Sequence, residues 1–362
     1  MTETSFSTTE PETSSGALLN ESAIASLLSR KGEIRPAHRP WNTAASEDAI
    51  SHYALGIGNV NPLWLDRTYA SNSRFGTLIA PPTFEYSCGV TFGGGLPGVH
   101  SLFGGSDFRF LQPIRLNDSI SSTISLEDIV EKQSRYSGRM LQQIERMVYT
   151  NQDGAVLTDA THWVMRIERD TARKRSNIKS STSDRSPQTY SQEEIARIDS
   201  EYIKEVRRGQ EIRYWDDVQV GENIPGVIKG PLRVTDILAY LMGTGSPYVR
   251  AHADNWDFRR EHPSAYVLNP LGIPDVAERV HWESAMSNKI GVSGAYDYGQ
   301  ERPCWISHML TNWMGDDGWL SRLKVQLAQF NLIGDTTTTG GEVTELFRDD
   351  DGTPTVKLAV WA

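Results

Sequence analysis

Cysteine, long apolar runs and net positive charge are all scarce in this sequence. Its 362 residues include two cysteines, Cys88 and Cys304, which are too few for a disulfide framework or a cysteine-based metal cluster. No apolar run approaches the roughly 20 residues that cross a bilayer, and the first residues lack the basic and apolar regions of a signal peptide. The formal net charge of −10 disfavours nucleic acid and anionic membranes as partners. We therefore expect a cytoplasmic protein with neither partner.

Two polar stretches divide the chain. Residues 1–21 are rich in Ser, Thr and Glu and predict a disordered tail. Residues 171–191 are rich in Ser, Thr, Lys and Arg, and a charged helix follows them, with Ser191 as N-cap and Gly209 as its stop. The sequence therefore predicts two folded domains, 22–170 and 210–362, joined by a linker and helix over 171–209.

The two predicted domains repeat one pattern of elements. In the first, Ile50, Tyr53, Ala54 and Ile57 have helical spacing; in the second, VTDILAYLMGTG and CWISHMLTNWMG are helical, with Thr235 as N-cap of the former. Segments of alternating hydrophobicity follow, with hairpin turns predicted at 152–154 and 351–352. Each domain is thus expected to be α+β, with an antiparallel sheet and a helix across one face.

Residues 53–84 (YALGIGNVNPLWLDRTYASNSRFGTLIAPPTF) carry a family signature. The stretch resembles the MaoC-like, (R)-specific enoyl-CoA hydratase family through Gly58, Asn61, Pro62, Asp66, Gly76 and Ala80-Pro81-Pro82. The resemblance implies a double hotdog, in which each sheet wraps a central helix. We expect the two sheets to pack side by side into one continuous sheet, within the chain or in a homodimer, because pairing removes an exposed edge.

The first domain departs from the family at its catalytic dyad. The family's Asp and His fall on Asn59 and Trp64. Neither an amide nor an indole can exchange a proton in that role at neutral pH. The first domain is therefore expected to shape the substrate site or to be structural.

In the second domain, the resemblance places the family's histidine on His281. Its acid would fall on Val276, so we consider two nearby carboxylates, Asp254 ahead of Asp275. If the register is shifted, His252 replaces His281 as the candidate. The alternatives are that His281 is a buried core histidine and that Asp254 forms a salt bridge with Arg250 or Arg259.

The segment 296–302 (YDYGQER) occupies the position at which the family binds the thioester. We expect Tyr298, Gly299 and Arg302 to contact the substrate there, since backbone N–H groups at a helix start can hold an oxyanion. The alternative is a tight turn in which Asp297 pairs with Arg302.

The resemblance implies an acyl-thioester hydratase or dehydratase, a lyase that adds water to an enoyl-CoA or removes it from a 3-hydroxyacyl-CoA. This chemistry is expected to use no cofactor and no metal. The expected assembly is a homodimer, or a heteromer with a related hotdog chain. Two alternatives remain: a non-catalytic double-hotdog subunit of a heteromeric dehydratase, and a hotdog thioesterase.

Overall fold

The computed structural model describes residues 19–38, 40–90, 94–96, 99–134, 138–168 and 188–362. The predicted tail, apart from residues 19–21, and most of the predicted linker lie outside these ranges. The helices are α1 Glu21–Leu28, α2 Glu47–Gly56, α3 Pro62–Leu65, α4 Arg67–Ser71, α5 Gln192–Ile203, α6 Val234–Thr244, α7 His252–Glu261, α8 Ser284–Asn288 and α9 Glu301–Met314. Short 3₁₀ helices span Phe84–Ser87, Trp215–Asp217, Pro263–Ala265 and Ala277–His281.

The strands are β1 Arg35–Pro36, β2 His100–Phe110, β3 Ser121–Ser134, β4 Gly138–Thr150, β5 Val156–Ile167, β6 Asn223–Ile224, β7 Ile228–Lys229, β8 Tyr266–Leu268, β9 Pro274–Val276, β10 Arg322–Gln326, β11 Thr337–Thr338, β12 Gly340–Arg348 and β13 Pro354–Trp361. Both predicted hairpins are confirmed, because residues 151–155 join β4 to β5 and residues 349–353 join β12 to β13.

Helix starts follow the capping chemistry of the sequence. At α2 the Ser46 side chain accepts a hydrogen bond from the Ala49 N–H, and the predicted apolar face is buried. At α5, Ser191 and Glu194 form a reciprocal capping box, so the predicted N-cap is confirmed. The helix nevertheless ends at Ile203 rather than at Gly209.

The predicted N-cap of α6 is wrong. The helix begins at Val234, so Thr235 lies inside the first turn. The Asp236 carboxylate accepts hydrogen bonds from the backbone N–H of Arg233 (2.8 Å) and from its guanidinium. This carboxylate at the helix start sets the boundary two residues earlier than a threonine cap would.

A large antiparallel sheet dominates the first half of the molecule. Its strand order is β1-β3-β4-β5-β2-β10. Met147 and Tyr149 on β4 face the core and are fully buried, as expected of a sheet with one covered face. Mixed helices around one large antiparallel sheet agree with the α+β prediction.

One strand of the second half joins this sheet. β10 pairs antiparallel with β2 over five residues, and Arg322 forms a bidentate ion pair with Asp107 across the join (2.7 and 2.8 Å). The expectation that the two sheets lie side by side holds at this strand. The remaining strands of the second half form a separate sheet, β13-β12-β6, and two-stranded ladders, β11-β7 and β8-β9.

The core runs continuously between the halves. Helix α9 is buried along most of its length, with Cys304 and Met309 fully buried. Helices α2 and α6 pack closely through glycines, since a Cβ at Gly56 would lie 2.7 Å from the Ala239 carbonyl oxygen, and one at Gly243 would lie 2.7 Å from that of His52. Within the described ranges, no helix has the length and apolarity that a membrane span requires.

A chain of polar side chains also crosses between the halves. Lys229 donates hydrogen bonds to the Gly58 carbonyl (3.0 Å) and to Nδ1 of His308 (2.9 Å). His308 Nε2 lies 3.0 Å from Oε1 of Glu205. Because Lys229 donates a hydrogen bond to Nδ1, the proton of the neutral imidazole lies on Nε2. This Nε2–H donates a hydrogen bond to Glu205.

Candidate active site

A cavity of about 380 Å³ lies between the two halves, within the size range of small-molecule sites. The first half contributes residues around the 3₁₀ helix Phe84–Ser87 and Trp41. The second half contributes the end of α6, the loop that follows it, and the residues that precede α9. The tight contact between α2 and α6 holds these walls together, so the cavity requires both halves.

Glu278 places a half-buried carboxyl group in the wall of this cavity. Ser246 donates a hydrogen bond to its Oε2 (2.6 Å), and the Tyr298 hydroxyl donates one to its Oε1 (2.7 Å). Burial raises the pKa of Glu278 above its ordinary value, while these two donors oppose the rise. A raised pKa makes the carboxylate a stronger base, which favours its taking up a proton from water or substrate.

His281 lies directly behind Tyr298. The two rings stack with centroids 3.8 Å apart, and His281 Nδ1 lies 2.9 Å from the Tyr296 carbonyl oxygen. Burial lowers the pKa of His281 to about 4, so the ring is neutral. A carbonyl oxygen only accepts, so Nδ1 carries the proton and Nε2 is left unprotonated. Tyr298 and Glu278 line the cavity, whereas His281 is not among the described residues that line it.

The two carboxylates expected to partner His281 contact arginines instead. Asp254, at the cavity mouth, accepts two hydrogen bonds from Arg250 (2.6 and 2.8 Å), as the salt-bridge alternative predicts. Asp275 lies 3.4 Å from Arg279. Among the contacts found in the described ranges, none joins either carboxylate to His281. His252 is exposed at the first position of α7.

The segment before α9 is divided between the cavity and the core. Tyr298 lines the cavity, and so does Gln300, at the N-cap of α9. Gly299 serves packing, because a Cβ there would lie 2.9 Å from both Phe103 and Leu327. Arg302 forms a bidentate ion pair with Asp297 (2.7 and 2.8 Å), which is the predicted alternative for this segment.

Sequence reasoning missed Glu278 and Ser246. A spacing signal for Glu278 exists, because it precedes His281 by three residues, and residues three apart share a face of a 3₁₀ helix. Tyr298 contacts both side chains. Ser246 lies far from Glu278 in sequence, and only the path of the inserted segment brings it within hydrogen-bonding distance.

The corresponding positions of the first half hold no acid and base. Trp64 is buried, and its Nε1–H donates to the Asn59 carbonyl oxygen (2.9 Å). The Asn59 side chain is fully buried, and its amide atoms have no hydrogen-bond partner among the described residues. Across the described ranges, no three or more His, Cys, Asp and Glu side chains are grouped as a metal site would require.

Comparisons with known proteins agree with the predicted resemblance. Residues 36–160 match the model of the FAS1-like dehydratase domain region. A UPF0336 protein of Streptomyces avermitilis is 26% identical over 106 residues, which cover 27% of this chain and 69% of that protein.

Two solved structures share the fold over nearly the whole chain. One is a MaoC-like dehydratase, with a TM-score of 0.62 and 17% identity, covering 92% of this chain and 98% of that one. The other is a MaoC-like dehydratase of Phytophthora capsici, with a TM-score of 0.50 and 10% identity, covering 92% and 95%. At these identities the likeness establishes the fold.

Proposed function

We propose that this chain, a member of the MaoC-like hotdog family, is a hydro-lyase that adds water to, or removes it from, the α,β bond of an acyl thioester, with Glu278 as its proton-transfer group. The observation that carries the proposal is the position of Glu278. It is a half-buried carboxyl group with a raised pKa in the wall of a substrate-sized cavity, held by Ser246 and Tyr298.

The arrangement supports a simple sequence of bond changes. In hydration, the Glu278 carboxylate accepts a proton from water as the oxygen bonds to C3 of the enoyl thioester, and the protonated Glu278 then delivers a proton to C2, which restores the carboxylate. Elimination reverses these steps. The Ser246 and Tyr298 hydroxyls keep the carboxylate oriented, and their hydrogen bonds favour its charged form. We propose an enoyl-CoA or 3-hydroxyacyl-CoA as substrate.

For His281, the predicted catalytic histidine, we propose a positioning role. His281 has an unprotonated Nε2 because Tyr296 fixes its tautomer, and it supports Tyr298 by stacking. We propose that it positions Tyr298 and so acts through Glu278. Asp254 and Asp275 are less suited to partner it, because arginines occupy them.

The domain assignment is likewise a proposal. We propose two hotdogs, 22–170 and 210–362, with 1–21 as a tail and 171–209 as a connection. The support is a repeated strand order: β6, β12 and β13 follow one another as β1, β3 and β4 do, and β10 corresponds to β2. The first hotdog is proposed to shape the cavity, to which it contributes Trp41 and Tyr86.

The first prediction concerns Glu278→Gln, which keeps the shape of the side chain and removes its proton transfer. We expect kcat with crotonyl-CoA to fall by about 10²–10⁴, measured as the rate at which the enoyl absorbance disappears. Asp254→Asn is the matched control, a carboxylate at the mouth of the same cavity, and should change kcat less than about tenfold. Equal losses in the two variants would contradict the assignment to Glu278.

A non-catalytic role is the second candidate. It is favoured by the loss of the first-half dyad at Asn59 and Trp64, and by the position of His281 behind Tyr298 instead of in the cavity wall. In this case the chain would complete the site of a related hotdog partner. Assays of the chain alone, and then with such a partner, separate the two functions. Release of free thiol would instead identify a thioesterase.

A further inference from the structure

The polar side chains in the wall of the cavity at Glu278 differ in whether the protein itself already bonds them. Glu278 accepts hydrogen bonds from Ser246 and Tyr298. At the mouth of the cavity, Arg250 and Asp254 form an ion pair. Each of these five side chains therefore lines the cavity with a hydrogen-bonding or ionic partner from the protein.

Gln300 lines the same cavity without such a partner. The residue is 6% exposed, its side chain does not cap α9, and its amide forms no hydrogen bond with another described residue. The amide atoms are nevertheless not sealed in the core, as the unpaired amide of Asn59 is. Because the residue is buried elsewhere, the accessible part of this amide faces the cavity. A ligand that displaces water from the cavity must replace the hydrogen bonds of this amide.

The position of Gln300 at the start of α9 adds a favourable electrostatic field. Gln300 is the N-cap residue of this helix, which spans 14 residues and is buried along most of its length. The N-terminal end of a helix carries a partial positive charge, which stabilises negative charge that develops nearby. Burial keeps water from screening this field. The amide and the helix end together suit an oxygen atom that gains negative charge during a reaction.

We propose that the Gln300 side-chain amide donates a hydrogen bond from Nε2 to the carbonyl oxygen of a bound acyl thioester. This assignment rests on the proposed hydro-lyase function, which brings such a thioester into the cavity. In an enoyl thioester, the carbonyl oxygen is the hydrogen-bonding atom that is conjugated with the α,β bond. A carbonyl oxygen only accepts hydrogen bonds, so it is matched by the N–H donors of the amide.

The hydrogen bond from Gln300 strengthens as the reaction proceeds. When the water oxygen bonds to C3, the electron pair of the C2–C3 double bond moves into a C1–C2 double bond, and the carbonyl electron pair moves onto the oxygen. The oxygen then carries the negative charge of an enolate, which an N–H donor stabilises more than it stabilises the neutral carbonyl. Protonation of C2 restores the carbonyl group. Gln300 thus contacts the oxygen at which charge develops, while Glu278 transfers the protons.

The test compares two unreactive ligands that differ at the carbonyl group. Butyryl-CoA has the thioester carbonyl but no α,β double bond, and its thioether analogue S-butyl-CoA has a methylene group in place of the carbonyl. Calorimetric titration measures the binding of each ligand to the full chain. Gln300→Met should bind butyryl-CoA about threefold to tenfold more weakly than the unmodified chain does, and S-butyl-CoA within about twofold. Gln112→Met, at an exposed glutamine outside the cavity, is the matched control and should bind both ligands normally.

Three results would overturn the assignment. Equal weakening of both ligands would mean that Gln300 contacts another part of the ligand or only shapes the wall. Unchanged binding of butyryl-CoA would mean that the amide does not bond its carbonyl, and no binding to the unmodified chain would remove the thioester from the cavity. Gln300→Leu, which also lacks the N–H donor, replaces Gln300→Met if that chain does not fold.

The binding comparison does not require turnover, so it separates this assignment from the proposed function. If Glu278→Gln loses activity but Gln300→Met binds both ligands normally, the assignment of Gln300 fails and the hydro-lyase function stands. If Gln300→Met weakens only butyryl-CoA but the unmodified chain does not hydrate crotonyl-CoA, the thioester contact stands and the hydro-lyase function fails.

Discussion

At the scale of single residues, buried carboxyl groups govern how stability responds to pH. Glu145 on β4 is 4% exposed and accepts a hydrogen bond from Gln143 (3.1 Å). Burial raises its pKa from 4.5 to about 7. The folded chain thus holds this proton more tightly than the unfolded chain does, so the group's contribution to stability is complete below pH 4.5 and is lost as pH rises through about 7.

Glu145→Gln should therefore flatten the pH dependence of stability. We expect the unmodified chain to lose up to about 3 kcal/mol relative to the variant between about pH 4.5 and pH 8. Urea unfolding at a series of pH values measures this difference. Parallel curves for the two chains would show that Glu145 titrates normally.

Trp64 shows how an inactive position can still be essential to the fold. Its side chain is 2% exposed and donates to the Asn59 carbonyl oxygen. Trp64→Ala should cost about 3–5 kcal/mol of unfolding free energy, and Trp64→Phe should cost less because the ring remains. Denaturant unfolding measures both. Turnover of folded Trp64→Ala should stay within about threefold of normal, and a loss of about a thousandfold would make the first half catalytic.

The residues of the candidate site were only partly predictable from the sequence. Motif spacing located Tyr298, which lies in the cavity wall, and His281, which stacks behind it. Asp254 was chosen for its chemistry, yet Arg250, four residues earlier and just before α7, binds it. Glu278 lies three residues before His281, but the burial that raises its pKa is a tertiary property, and this spacing alone does not reveal it.

At the scale of elements, the sequence predicted the helices and hairpins that depend on local signals, but not the fold of the inserted segment. Periodicity identified α2 and α9, and turn chemistry identified both hairpins, since each depends on neighbours in sequence. The inserted segment between α6 and α8 folds into α7 and the β8–β9 hairpin. This segment is rich in polar and charged residues, and its apolar residues follow no regular period. Its fold therefore depends on contacts with the rest of the second half.

The bridge formed by Lys229, His308 and Glu205 makes an element-scale prediction about acid. Burial lowers the pKa of His308 below 6.5, so its stabilising contribution is present above pH 6.5 and is lost as pH falls. Burial of Glu205 opposes its ionisation, but the hydrogen bonds from His308 and Asn312 and the positive charges of His308 and Lys229 together outweigh that effect and lower the pKa of Glu205 to about 2. The contribution of Glu205 is therefore lost at still lower pH, and both groups weaken the contact between the halves in acid.

His308→Gln keeps a donor and an acceptor in this bridge but cannot gain a charge. We expect its melting temperature to fall less than that of the unmodified chain when pH is lowered from about 7 to about 5. His52→Gln, at an exposed position of α2, is the control and should follow the unmodified chain. A melting curve of His308→Gln that shifts as much as the unmodified chain's would remove His308 from this role.

At the scale of the whole molecule, the two sheets differ in how their strands are flanked. β4 has β3 on one side and β5 on the other. In the described part of the second half, β13 pairs with β12 alone and β10 with β2 alone. The backbone N–H groups on the outer edge of β13 therefore have weaker protection against solvent than those of β4.

Hydrogen exchange should expose this difference. In β13 we expect alternate amides, those facing away from β12, to exchange at least about a hundredfold faster than the amides of β4. The amides of β13 that face β12 serve as the internal control. Uniform protection along β13 would mean that its outer edge is covered in solution.

The pairing of β2 with β10 has a consequence for the order of folding. The ion pair between Asp107 and Arg322 joins positions 215 residues apart, whereas β2 to β5 and their hairpins close much shorter loops. Contacts between distant positions form late, because the chain between them must be ordered first. The first five strands should therefore assemble while the second half is still being synthesised, leaving the outer edge of β2 open to competing strands until β10 arrives.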